Sequence, residues 1–117
     1  MKIGNRLQKL RQLLAEKEIE AIFISQPENR YYLSGFDGSA GFLLITPQNT
    51  ILATDFRYIE QAKRQAPDYA IFQITNDISE WFPELVAELS IRRLGFEAGH
   101  FAFALYQQLS DVLNEAQ

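Results

Sequence analysis

The stretch GFLLITPQNTILATDF, residues 41–56, reads as a hairpin followed by the start of a helix. Phe42, Leu43, Leu44, Ile45 and Thr46 form an apolar run that reads as a strand. Pro47, Gln48 and Asn49 supply the turn. Thr50, Ile51, Leu52, Ala53 and Thr54 read as the returning strand of a hairpin. Asp55 then stands where an N-cap is needed, opening a helix over about 56–66. Phe56, Ile59, Ala62 and Ala66 are expected on its inner face, and Pro67-Asp68 ends it.

Outward from this hairpin the pattern alternates. Upstream, residues 5–17 read as a helix, with Asn5 as N-cap and Gln8 in the capping-box position. Leu7, Leu10, Leu13 and Leu14 recur on one face at helical spacing. Ala21, Ile22, Phe23 and Ile24 form a short buried strand. Residues 26–41 are the least regular part, because Gly35, Gly38 and Gly41 interrupt any long element. Downstream, residues 70–74 read as a strand. Asp77 caps a further helix, with Glu80 in the capping-box position. Pro83 falls inside that helix and predicts a kink or a restart. Leu94, Gly95, Phe96 and Glu97 form a last strand. A final helix spans about 101–115, with Phe101, Leu105, Leu109 and Val112 on one stripe. Strands alternating with helices predict a three-layer α/β/α domain with a mixed sheet of about five strands. The 117 residues read as a single domain without internal repeats. The chain stops within a polar helix tail, residues 114–117.

Composition narrows the function. Apolar residues make up 47% of the chain, with nine Phe and five Tyr, enough for a core. The formal net charge of -4 argues against nucleic acid and against an anionic membrane surface. The basic pairs Arg92-Arg93 and Lys63-Arg64 do not form a polybasic tract. No Cys is present, which removes disulfides and thiolate zinc sites. No apolar run approaches the ~20 residues that span a bilayer. The charged, amphipathic N-terminus is unlike a signal peptide. These features point to a soluble protein of the cytoplasm.

The search for catalytic chemistry in the residues themselves finds little. A hydrolytic metal site needs at least three protein ligands, and the chain has one His. Most of its carboxylates sit at caps (Asp55, Asp77) or on predicted solvent faces (Glu16, Glu18, Glu60, Glu88). His100 reads as a local helix-start residue, with a general base as its functional alternative. The loop Phe36-Asp37-Gly38-Ser39-Ala40-Gly41 fails as a nucleophile elbow, since Asp37 stands where that motif needs Gly and a strand follows. It fails as a phosphate loop, lacking the Lys-Ser/Thr ending. A glycine-rich turn feeding a strand is the plainer reading. Arg57 in a first helical turn opposes the helix dipole, which invites a specific partner such as a carboxylate gripped bidentately. Tyr31, Tyr32, Phe36, Trp81 and Phe82 are aromatics that either flank a ligand surface or pack in the core.

Four segments in order carry a resemblance. Asn29-Arg30-Tyr31-Tyr32-Leu33-Ser34-Gly35-Phe36 resembles the N-x-x-Y-L-S/T-G-F segment of the creatinase/prolidase N-terminal domain. Asp37-Gly38-Ser39-Ala40-Gly41 is similar to the D-G-S-A-G of aminopeptidase P relatives. The stretch from Thr54 through Asp55, Arg57 and Tyr58 to Gln61-Ala62 resembles T-D-x-R-Y-x-x-Q-A, with Phe56 where some relatives have Gly. Leu94-Gly95-Phe96-Glu97 resembles the family's aliphatic-G-F/V-E strand.

The resemblance implies a three-layer, ribonuclease-H-like domain that is non-catalytic by itself. It implies a separate C-terminal catalytic domain, absent from this sequence, that holds two divalent metals (manganese, cobalt or zinc) and cleaves before proline. The full-length parent would be a Xaa-Pro metallopeptidase, an aminopeptidase P or a prolidase. Its expected partners are its own catalytic domain, further copies in a homo-oligomer such as a dimer, and proline-containing peptides. By carry-over, Phe36, Asp37 and Ser39 form the loop that approaches a neighbouring subunit's cleft, and Arg57 and Tyr58 are candidates for substrate or interface contact. Two other functions stay open: a stand-alone binding module or non-peptidase relative, and a small enzyme built on Asp37, Ser39 and His100.

Overall fold

The computed structural model describes residues 2–96. Five strands form one sheet in the order β4-β3-β2-β1-β5. They are β1 (Ala21–Ile24), β2 (Phe42–Ile45), β3 (Thr50–Thr54), β4 (Ala70–Gln73) and β5 (Leu94–Phe96). β2 pairs antiparallel with both β1 and β3. β1 pairs parallel with β5, and β3 with β4. Every strand except β2 therefore runs in one direction.

The apolar runs are buried on both faces, and successive residues serve opposite layers. Leu43, Ile45, Leu52 and Ile24 face one core with Leu7, Leu33, Phe36 and Ala62. That layer is built by α1 (Lys2–Glu16), α2 (Pro27–Ser34) and α3 (Ile59–Gln65). Ala21, Phe23, Leu44, Ile51 and Ala53 face the other core with Trp81, Phe82, Leu85 and Val86 of α4 (Ile78–Glu88). Phe23, Phe36 and Phe82 are fully buried, each contributing roughly 1.5–3 kcal/mol of transfer free energy. The three-layer arrangement expected from the sequence is the one observed.

Several local expectations change. α1 begins at Lys2, so Asn5 and Gln8 lie inside the helix and do not cap it. The apolar stripe reaches back to Ile3, which packs on the first core, while Leu13 is exposed. The region 26–41 contains α2, with Pro27 in the first turn and Gly35 closing the helix at φ 82°. The helix expected over 56–66 opens as a 3₁₀ turn, Phe56–Tyr58, before α3. That turn rotates Phe56 outward, and it is 75% exposed where an inner-face position was expected. α4 runs from Ile78 to Glu88 through Pro83 without restarting. Asp77 caps it, accepting from the Ser79 amide. His100 and the helix expected over 101–115 lie outside the described residues.

Candidate functional site

The loop between α2 and β2 is held from three sides. From α2, Arg30 reaches beneath it and is only 4% exposed. Its guanidinium donates to the Gly41 carbonyl at 2.8 Å and to the Gly38 carbonyl at 2.5 Å. The same guanidinium lies 5.7 Å from the centre of the Phe36 ring. The Ser34 hydroxyl donates to the Arg30 carbonyl, and the Phe36 amide donates to that hydroxyl. From α3, the side-chain amides of Gln61 and Gln65 donate to Asp37 Oδ1 at 2.7 and 3.0 Å. The Asp37 amide returns a bond to Gln65 Oε1. From β3, the Thr54 hydroxyl donates to the Ala40 carbonyl at 2.7 Å.

The expected site residues meet here. Asp37 and Ser39 are exposed on the loop. Ser39 shares a hydrogen bond with the Tyr58 hydroxyl. Tyr58 meets the Phe36 ring edge-on at 6.3 Å. Arg57 lies 5.1 Å over the Tyr58 ring. Phe36 itself is 0% exposed, so its side chain supports the loop from the core and does not reach the surface.

The specific partner expected for Arg57 is its own neighbour. Arg57 Nε and Nη2 donate to the two Asp55 oxygens at 3.1 and 2.7 Å, and the Arg57 amide donates to Oδ1. Asp55 therefore caps the 3₁₀ turn and neutralises the cation in one contact. Its carboxyl is held below the usual carboxylate value, first by the guanidinium hydrogen bond and then by the amide bond, with burial opposing both. The Arg57 guanidinium is raised in return by the same bond.

An open crevice of 510 Å³ lies beside the loop, lined by Ser25, Arg30, Ser39, Thr54, Asp55 and Ile74 among others. It sits past the carboxyl ends of β1, β3 and β4, where open α/β sheets bind ligands. The crevice offers hydroxyls and one ion-paired carboxylate. The observed partner of Ser39 is a phenol, so the small-enzyme reading finds no base beside it among the described residues. Among those residues, no three His, Cys, Asp or Glu side chains group to hold a metal. No described helix is long and apolar enough to cross a membrane.

Sequence reasoning missed Arg30, Gln61 and Gln65. Arg30 stood within the resembling segment with nothing to mark it as buried. The two glutamines are four apart, one helical turn, which is the signal that places both over Asp37.

A three-layer domain with this sheet order and this loop defines a class, and the match is direct. Residues 6–117 match the creatinase/prolidase N-terminal domain model, and the chain belongs to that family.

A Bacillus subtilis protein called an uncharacterized peptidase is 34% identical over 112 residues, covering 96% of this chain and 32% of that one. A putative Xaa-Pro aminopeptidase of Mycoplasma pneumoniae is 39% identical over 61 residues, 52% of this chain and 17% of its own. The Xaa-Pro dipeptidase of Bacillus anthracis superimposes with a TM-score of 0.90 at 32% identity, covering 96% of this chain and 32% of that one. The N-terminal domain of the cytoplasmic peptidase PepQ of Mycobacterium tuberculosis gives 0.84 at 34% identity, covering 94% and 85%. The chain thus spans about a third of the length of the two Bacillus proteins.

Proposed function

We propose that this chain is the non-catalytic N-terminal domain of a Xaa-Pro metallopeptidase of the aminopeptidase P or prolidase type. It contributes to assembly and shapes the substrate cleft of a neighbouring subunit. The observation that carries this reading is the match of 96% of this chain to about a third of a Xaa-Pro dipeptidase, within a family model that spans residues 6–117. The loop geometry supports it, because Ser39, Tyr58 and Arg57 form one connected group beside an exposed Asp37 that Gln61 and Gln65 hold on the same loop.

In this reading the two divalent metals (manganese, cobalt or zinc) belong to a catalytic domain; among the described residues no three His, Cys, Asp or Glu side chains group to hold one. The partners are that domain, a further copy of the chain and proline-containing peptides. The compartment is the cytoplasm, and the acidic balance disfavours nucleic acid and anionic membranes as partners.

The test is hydrolysis of a Xaa-Pro peptide set with added manganese. The polypeptide joining this domain to a catalytic domain is expected to cleave before proline, and residues 1–117 by themselves are not. Within the joined protein, Asp37→Ala and Arg57→Ala are expected to change the preference for peptide length or the assembly state. Cleavage by 1–117 alone overturns the non-catalytic assignment. Failure of both polypeptides to cleave moves the chain to the non-peptidase relatives or to a binding module.

A further inference from the structure

We infer that Arg30 is a positioning residue, whose buried guanidinium clamps the loop 36–41 so that Asp37 and Ser39 are presented in one fixed geometry. The role of that loop in substrate choice rests on the function proposed above; the clamp itself rests on contacts within this domain.

Burying a guanidinium is costly unless its charge is met by acceptors. Here its two terminal nitrogens end on two carbonyls of the same loop, three residues apart. The planar fork suits this task, because it can hold two acceptors at a fixed separation where an ammonium acts from a point. The aromatic face of Phe36 lies within cation–π range of the same group.

The neighbouring residues agree with a single loop conformation. A side chain at Gly38 would begin 2.3 Å from the Phe36 ring, so the backbone passes directly over that ring. The other anchors act on other atoms: Gln61 and Gln65 hold Asp37, Tyr58 meets Ser39, and Thr54 holds the Ala40 carbonyl. Arg30 supplies the carbonyl contacts on either side of Ser39 and Ala40. Without them, the described tethers near Ser39 are the Tyr58 hydroxyl and the Thr54 bond to the Ala40 carbonyl. Its hydroxyl and the Asp37 carboxylate would then sample several positions. A loop that limits substrate length must instead exclude the longer peptide by holding still.

Arg30→Gln in the full-length protein provides the test. Amide exchange over residues 36–41 is expected to rise on the order of tenfold, reflecting local opening. The ratio of kcat/KM for a short over a long Xaa-Pro peptide is expected to shift by roughly tenfold, in the same direction as in Asp37→Ala. Tyr69→Phe is the control, since it removes a buried bond to the Leu33 carbonyl in the same core and leaves every hydrogen bond to residues 36–41 in place. It is expected to lower the melting temperature while leaving the ratio unchanged.

If Arg30→Gln does not fold, Arg30→Lys keeps the charge, reaches one carbonyl and reads the same two quantities with a smaller shift. A folded Arg30 variant with wild-type exchange over 36–41 overturns the inference, as does an equal ratio shift in Tyr69→Phe. Raised exchange in the Arg30 variant, with an unaltered ratio in both it and Asp37→Ala, keeps the clamp and rejects the function proposed for the loop.

Discussion

Asp55 combines two duties that a protonation test can separate. Its carboxylate caps the 3₁₀ turn and binds Arg57 through two oxygens. Because its folded-state pKa lies below the ordinary 3.8, ionised Asp55 stabilises the fold above that value, and the contribution is lost as pH falls through the folded pKa. Asp55→Asn keeps a capping oxygen and loses the charge. The variant is therefore expected to melt below the wild type at neutral pH, with the gap closing below about pH 4. Melting curves across that range check it. The cap was legible from Asp55 standing directly before a helical pattern. The identity of the Arg57 partner was not, because a carboxylate two residues away suits a 3₁₀ turn, whereas a regular α-helix had been expected.

At the scale of elements, α2 is the instructive case. Its boundary signals, Pro27 at the start and Gly35 after the end, are both present in the sequence. Three glycines within seven residues drew attention to irregularity and hid the two turns of helix before them. The helix also lacks a strong apolar stripe: Leu33 is buried but Tyr31 and Tyr32 are exposed. Gly35 stops it in the left-handed region, with the Gln65 carbonyl 3.1 Å from where a Cβ would stand. Gly35→Ala is expected to cost about 1–2 kcal/mol from the backbone conformation, read as a lowered urea midpoint. The loss adds to any crowding against Gln65. An unchanged midpoint would mean that the loop relaxes without strain. The strands gave fewer surprises, because short apolar runs bounded by turns and charges declare themselves locally. Pro83 shows the opposite limit. One missing amide does not end a helix that buries Trp81, Phe82, Leu85 and Val86 together.

For the whole molecule, the domain and the metal chemistry are separable in the reading proposed here. Chelating the divalent metals of the full-length protein is expected to abolish cleavage before proline while leaving the melting temperature of the 1–117 domain unmoved. Ligands that bind only the native state raise its stability by mass action. A manganese-dependent rise in the melting temperature of 1–117 would therefore place metal ligands in this domain, against expectation. Family membership came from short segments in order, and the chain spans about a third of the length of its two Bacillus relatives.

Local sequence suffices for the three layers, the central hairpin, the cap at Asp55 and the family. Each rests on residues adjacent in the chain or on short motifs in order. The burial of Arg30, the placing of Phe36 under the loop and of Phe56 toward solvent, and the hold of Gln61 and Gln65 on Asp37 follow from long-range packing. Those contacts join α2 to the loop and the loop to α3, across 8 to 28 residues of chain. Propensity and periodicity report the face a residue turns within its own element. Which distant carbonyl or carboxylate meets that face is set by the packing of three helices on one side of the sheet.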